Sequence, residues 1–151
     1  MKAYTILAAG LLLASVPTMG QSNQRGMQQD PPYFAEISSL SEDYLQKAVK
    51  NYALALTSAN DGVVESSIAH LTFIRISLPQ TDLKAIRATM VELAESGRTP
   101  VIRYKAYLAT IVFESPVSFV RALRAESAES DQFFSGIASQ VQKTLLGQNI
   151  K

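Results

Sequence analysis

The sequence predicts an all-α protein. Apolar residues recur at helical spacing along residues 39–147, and short breaks rich in Gly, Pro, Ser and Asp separate the helical stretches. No stretch of alternating apolar and polar residues lies between hairpin turns, so the sequence indicates no sheet. The chain has 151 residues, which is the length of one domain.

The first 20 residues differ from the rest of the chain. Lys2 precedes the uncharged run AYTILAAGLLLASV, and small residues up to Gly20 follow it. This order is typical of a secretory signal peptide, and the run is shorter than the roughly 20 residues of a transmembrane helix. We therefore expect residues 1–20 to be a cleaved signal peptide, with cleavage after Ser22 or an uncleaved helix as alternatives. Because no Cys follows the run, we expect no lipoprotein anchor. If the signal peptide is cleaved, we expect a periplasmic or secreted bacterial protein with no transmembrane helix in the mature chain.

The composition narrows the classes of function. The chain contains no Cys, so its stability must come from a core rather than from disulfides. Its 14 Lys and Arg residues are balanced by 13 Asp and Glu residues, which leaves no positive field to attract nucleic acid. A single His without Cys does not supply the usual zinc ligand sets. We expect no cofactor, no metal and no nucleic-acid partner.

The mature chain begins with a segment that differs from the helical part. Residues 21–38 are rich in Gln, Ser and Pro and are predicted to be a flexible leader. Ser39 and Glu42 have the spacing of a capping box, and Ser41 is a competing N-cap. Residues 148–151 are predicted to be a frayed tail.

Helical periodicity predicts six helices in the domain that spans residues 39–147. The predicted bounds are 42–57, 62–78, 82–96, 100–114, 117–127 and 131–146. Asp61, Thr99 and Asp131 are the predicted N-caps of the second, fourth and sixth helices, with Ser130 as an alternative to Asp131.

The stretch SGRTPVIRYKAYLA predicts both a helix boundary and an unusual helix. Gly97 is expected to end the third helix, and Pro100 is expected to occupy the first position of the fourth. The fourth helix is apolar on more than one face, which is typical of a helix enclosed by its neighbours. We therefore expect Tyr104 to face the core.

The second helices of three successive helix pairs align at their predicted caps. DGVVESSIAHL, TPVIRYKAYLA and DQFFSGIASQV each begin with a capping residue, and each has bulky apolar residues two and three positions later and a smaller apolar residue at the seventh. TPVIRYKAYLA resembles the second helix of a HEAT-type repeat at Pro100, Ile102, Arg103 and Ala106. The first unit departs from that family at Glu65, where the family has Arg, and the third unit matches only in pattern.

The resemblance implies a short HEAT-like α-solenoid of three antiparallel helix pairs, since each pair needs neighbours to bury its inner face. A compact orthogonal six-helix bundle is the alternative. The resemblance also implies that Arg103 links two repeats by bonding to Asp61 or to the turn carbonyls around it. Lys105 and Tyr107 then stay free as candidate contacts for a partner.

His70 is the candidate for catalysis, because its ordinary pKa suits a general base. No triad-like or metal-like spacing accompanies it, so a partly exposed histidine on a helix surface is the favoured interpretation.

The resemblance also bears on function, because HEAT-type repeats generally bind proteins. We expect an exported, non-catalytic protein-binding or scaffolding module of the cell envelope, monomeric or weakly oligomeric, with another envelope protein as partner. The alternatives are a small hydrolytic enzyme centred on His70 and a structural protein tethered to the envelope by its leader.

Overall fold

The computed structural model describes residues 40–124 and 129–148. Within these ranges the chain is helical and contains no strand, which confirms the all-α prediction. The predicted signal peptide, the leader, the candidate cap Ser39 and residues 149–151 of the tail lie outside the described residues.

The described chain consists of α-helices joined by short turns, with one 3-10 helix between the last two. Their bounds are α1 Glu42–Ala55, α2 Asp61–Ser77, α3 Lys84–Ser96, α4 Pro100–Glu114, η1 Pro116–Arg124 (the 3-10 helix) and α5 Ser130–Gln148. The five α-helices begin and end within two residues of the positions that the periodicity predicts.

The fifth predicted helix is a 3-10 helix, η1, rather than an α-helix. Val117 and Val120 are exposed, and Pro116 and Phe119 are buried. Because a 3-10 helix has three residues per turn, Pro116 and Phe119 lie on the same side of η1.

Helices α2 and α4 form the centre of the domain. Helix α2 contacts α1, α4, η1 and α5, and α4 contacts α3, α5 and η1 in addition. Residues 0–1% exposed include Ile68, Leu71, Met90, Ile102, Val112, Phe133 and Ile137. These central helices therefore provide the platform on which the other helices pack.

Helix α5 contacts α2 as well as α4 and η1. Phe133 of α5 packs edge-on against Phe73 of α2, with ring centroids 6.3 Å apart. Phe134 lies edge-on to Phe133 at 5.4 Å, and both side chains are almost fully buried. The first turns of α5 are thus fixed to α2 by aromatic packing.

The helix caps differ from the predicted set at two positions. Ser41 and Thr99 are N-caps, and Thr99 Oγ1 accepts a hydrogen bond of 3.1 Å from the amide of Ile102. Asn60, not Asp61, caps α2 and accepts from the amide of Gly62 at 2.9 Å. Asp61 already has helical backbone geometry, so its carboxylate cannot bend back to the first amides.

Asp131, the predicted cap of the sixth helix, lies inside the first turn of α5, because the helix begins at Ser130. A carboxylate is favoured there by the helix dipole. The same side chain makes an ion pair to α4, described below.

Candidate protein-binding surface

The outer face of α4 carries exposed aromatic residues. Tyr104 is 54% exposed and Tyr107 is 55% exposed, and the two lie three residues apart on one side of the helix. Val101, one turn before Tyr104, is also exposed. The prediction that Tyr104 faces the core is therefore wrong, because α4 is covered on one side only. We call the side formed by Pro100, Tyr104, Tyr107, Ile111 and Glu114 the outer face of α4.

Lys105 lies between these tyrosines in sequence but belongs to the core. It is 5% exposed, and its Nζ lies 2.8 Å from Glu65 Oε2 of α2 and 2.6 Å from Asp131 Oδ1 of α5. Nζ also donates to Ser130 Oγ at 3.3 Å and lies 5.8 Å from the centre of the Phe134 ring. The interpretation of Lys105 as a free partner contact is thus wrong, whereas Tyr107 remains on the surface.

Two opposing effects act on the charge of Lys105. Burial lowers its pKa, but hydrogen bonds to Asp131 and Glu65, together with their negative charges, raise it by more. The net result is a pKa above the ordinary value of 10.5. Lys105 is therefore a protonated cation at neutral pH and cannot act as a base toward Ser130.

The aligned repeats contained a signal for the burial of Lys105. Counted from the aligned caps, the sixth position is Ser67, Lys105 or Ile137, and all three side chains are buried. Lys105 also follows Ile102 by three residues and precedes Ala109 by four, so it lies on the inner stripe of α4. A charge at this position needs carboxylates on neighbouring helices, and Glu65 and Asp131 supply them.

The predicted link between Arg103 and Asp61 is also wrong. Arg103 donates to the carbonyl of Gly97 at 2.7 Å, within its own turn. Arg98 makes the link instead: its Nη2 lies 2.7 Å from Asp61 Oδ1 and donates to the carbonyl of Ser58 at 2.9 Å. Arg98 precedes α4 and projects toward the α1–α2 turn, whereas Arg103 lies one turn into the helix and reaches back to the preceding turn.

His70 is half-buried on the side of α2 that faces α1. Its ring stacks on Tyr52 with centroids 4.7 Å apart. Its Nδ1 lies 2.8 Å from the Ser66 carbonyl oxygen and 3.4 Å from Ser66 Oγ. A carbonyl can only accept, so the shorter contact places a proton on Nδ1. A protonated Nδ1 cannot take a proton from the Ser66 hydroxyl.

The described residues line three open grooves. One, of about 310 Å³, has Leu56, Val64 and Ile102 among its lining residues and Arg98 at its edge. Another, of about 350 Å³, is lined by Arg75, whose guanidinium donates to the carbonyls of Pro79 and Phe113. The third, of about 220 Å³, surrounds the buried ion pairs of Lys105.

The described residues contain no group of three or more His, Cys, Asp or Glu side chains placed to hold a metal ion. None of their helices has the combination of length and apolar character that crossing a membrane requires. Comparison of the chain with protein-family models, with curated proteins and with solved structures gave no match.

Proposed function

We propose that this protein is an exported, non-catalytic protein-binding or scaffolding module of the bacterial cell envelope. Its contact surface is the outer face of α4. The observation that carries the proposal is the pair Tyr104 and Tyr107, each more than half exposed on adjacent turns. Tyrosine is enriched where proteins meet, because it buries a large ring and keeps a hydroxyl for a hydrogen bond.

The position of Lys105 supports this surface. Because its side chain is drawn into the core by Glu65 and Asp131, no lysine interrupts the aromatic face. Interface cores are depleted in lysine, whose desolvation opposes binding. The charged residues near the two ends of the face are Arg103, which donates to the Gly97 carbonyl, and Glu114, which is ion-paired with Arg87 of α3.

The export step of the proposal is supported by the N-terminal sequence. The charged residue Lys2, the apolar run after it and the small residues before Gly20 form the pattern of a signal peptide.

The architecture that we propose is a short helical array whose third pair closes back on the first. The array is supported by the HEAT-like second helices, which align at Asn60–Asp61, Thr99 and Ser130–Asp131. The contact of Phe133 with Phe73 supports the closure, since distant units of an open solenoid do not touch.

A pull-down from an envelope fraction tests the proposed function. The mature wild-type protein is compared with the double variant Tyr104→Ala/Tyr107→Ala. We expect the wild type to retain a stoichiometric partner. The amount of partner recovered with the double variant should be at least 10-fold lower, since tyrosines are enriched among the interface residues that contribute about 2 kcal/mol or more.

The matched control is Leu54→Ala, which removes a side chain that is 65% exposed on α1. This variant should retain the partner at the wild-type level. Equal retention by the double variant and the wild type would contradict a contact surface on α4.

A further inference from the structure

We propose that the groove between the α2–α3 turn and the end of α4 binds a small, soluble phosphate monoester. The groove has a volume of about 350 Å³, and its lining residues include Arg75, Lys84 and Arg87. It lies apart from the tyrosines of the outer face of α4, so this inference is independent of the proposed function.

Arg75 is a cation that no carboxylate neutralises within the described residues. Its guanidinium donates to the carbonyl of Pro79 and, at 3.2 Å, to the carbonyl of Phe113. Its Cζ lies 5.9 Å from the centre of the Phe113 ring. Carbonyl groups and aromatic rings carry no net charge, so these contacts fix the position of the guanidinium and leave its positive charge uncompensated.

The Nε atom of Arg75 gives a second indication of a ligand. It is buried and has no hydrogen-bond partner among the described residues. A buried donor without a partner lowers stability, and such groups are commonly satisfied by a bound ion or water. Arg75 therefore has both a charge and a donor that a bound anion would satisfy.

Lys84 and Arg87 add a second charge and further donors. Lys84 is exposed and makes no ion pair in the described part of the chain. Arg87 donates through Nε and Nη2 to a single oxygen of Glu114, which neutralises its charge. A guanidinium carries more N–H groups than these two bonds use, so Arg87 keeps donors for a ligand. Arg75 and Lys84 are the two uncompensated cations of the groove.

Asp82 opposes the binding of an anion. It is the one carboxylate among the described residues that line the groove, and it is exposed. Its Oδ1 accepts a hydrogen bond of 3.2 Å from the amide of Lys84. An asparagine in its place would keep an acceptor for this amide and would remove the negative charge, so binding should become tighter.

The charge and size of the groove define the class of ligand. A carboxylate carries one negative charge, whereas a phosphate monoester carries about 1.5 to 2 at pH 7 and matches the two uncompensated cations. Arginine donors also suit phosphate oxygens. The volume of about 350 Å³ is at the small end of the roughly 300–1,000 Å³ of ligand pockets. Pro79, Leu83 and Phe113 line the groove as well and supply apolar surface for the organic part of the ester.

A titration of the purified, ¹⁵N-labelled protein tests the ligand class. Phenyl phosphate is compared with benzoate, which carries the same ring and one charge, at equal ionic strength and near neutral pH. We expect phenyl phosphate to bind at least about 5-fold more tightly, because charge-assisted bonds to two cations hold it. The amide resonances of Gln80, Thr81 and Lys84 should shift. Equal affinities for the two compounds would overturn the inference.

Three variants test the position of the site with the same probe. Lys84→Gln should weaken the binding of phenyl phosphate about 5-fold, and Asp82→Asn should strengthen it about 3-fold. The control is Lys50→Gln, which removes an exposed cation of α1 and should bind as the wild type does. Equal affinities of Lys84→Gln and Lys50→Gln would overturn the inference, and so would an Asp82→Asn variant that binds no more tightly than the wild type.

Vesicles that contain phosphatidic acid distinguish a lipid phosphate from a soluble one. We expect the protein to stay in the supernatant when such vesicles are sedimented, because its formal net charge of +1 gives no strong attraction to an anionic membrane. Sedimentation of the protein with these vesicles would overturn the assignment of a soluble ligand.

Discussion

Lys105 joins three helices with one side chain. Its ammonium group lies on α4 and contacts a carboxylate of α2 and a carboxylate of α5. The two partners differ in exposure, since the Glu65 side chain is 24% exposed and the Asp131 side chain is 81% exposed. The cation is therefore the desolvated member of the cluster, and the carboxylates keep contact with water.

This asymmetry predicts which substitutions cost most. Lys105→Met keeps the buried stem and leaves two carboxylates that water can solvate, so we expect a loss of about 1 kcal/mol or less. The double variant Glu65→Ala/Asp131→Ala leaves a buried ammonium without carboxylates and should lose about 2–3 kcal/mol. Urea unfolding of the three proteins measures the difference. A larger loss for Lys105→Met than for the double variant would show that Lys105 is not the desolvated charge.

The raised pKa of Lys105 predicts a pH dependence at the alkaline end. A group whose pKa is higher in the folded state stabilises the protein below its unfolded pKa and loses that contribution as pH rises through the folded pKa. The difference in free energy of unfolding between the wild type and Lys105→Met should therefore be constant at neutral pH. Above about pH 10.5 the wild type should lose stability relative to the variant. Urea midpoints of both proteins between pH 7 and 11.5 measure it. A difference that does not change with pH would contradict the ion pairs.

Single residues were the least predictable part of the sequence. The resemblance to a HEAT-type repeat directed attention to Arg103, but the link to the α1–α2 turn is made by Arg98. The two arginines are five residues apart, and both side chains are long enough to be proposed from the sequence as the link to the α1–α2 turn. Their partners depend on how the turn before α4 is oriented, which neither periodicity nor capping patterns specify.

At the scale of elements, the turn between α3 and α4 depends on Gly97. A Cβ atom at this position would lie 2.5 Å from the carbonyl oxygen of Leu93 and 2.7 Å from Cγ2 of Ile102. Both atoms are fixed, one by the α3 backbone and the other by the core. Glycine is required here for space and not for a left-handed backbone, since its φ is −55°.

We expect Gly97→Ala to lower the free energy of unfolding by about 2 kcal/mol, the usual size of an overpacking effect. The control is Gly62→Ala, where the nearest atom to a new Cβ is Asn60 Oδ1 at 3.3 Å. Thermal unfolding followed by circular dichroism compares the two. The prediction fails if Gly97→Ala melts at the same temperature as Gly62→Ala.

The existence and bounds of the α-helices could be predicted closely, because periodicity and the residues at helix ends, such as Gly97, Thr99 and Pro100, depend on local sequence. The contacts around each helix could not be predicted in this way. Helix α4 has apolar residues on most of its circumference, a pattern that predicts a helix enclosed by neighbours. Its neighbours cover one side only, and the aromatic outer face is what remains.

At the scale of the whole molecule, α5 is held to α2 through Phe133 and Phe73. This contact joins residues that are far apart in the sequence, and the repeat pattern could not predict it, because in that pattern each unit touches only its neighbours. It indicates that the described helices unfold together rather than unit by unit.

Phe133→Ala should therefore lower the stability of the entire domain by about 3–5 kcal/mol, as expected for loss of a fully buried aromatic ring. Urea unfolding should stay a single transition with a lower midpoint. Val117→Ala, which truncates a side chain that is 73% exposed on η1, is the control and should change stability by less than about 0.5 kcal/mol. Two separate transitions in the wild type would contradict the closed arrangement.

The central proposal is that the outer face of α4 is the contact surface for another protein of the cell envelope. The most direct test replaces Tyr107 with a photo-reactive phenylalanine analogue in the full-length protein expressed in cells, with Leu54 replaced in parallel. A contact surface on α4 predicts a discrete cross-linked band from position 107, and none from position 54. A discrete band from position 54 with none from position 107 would contradict it.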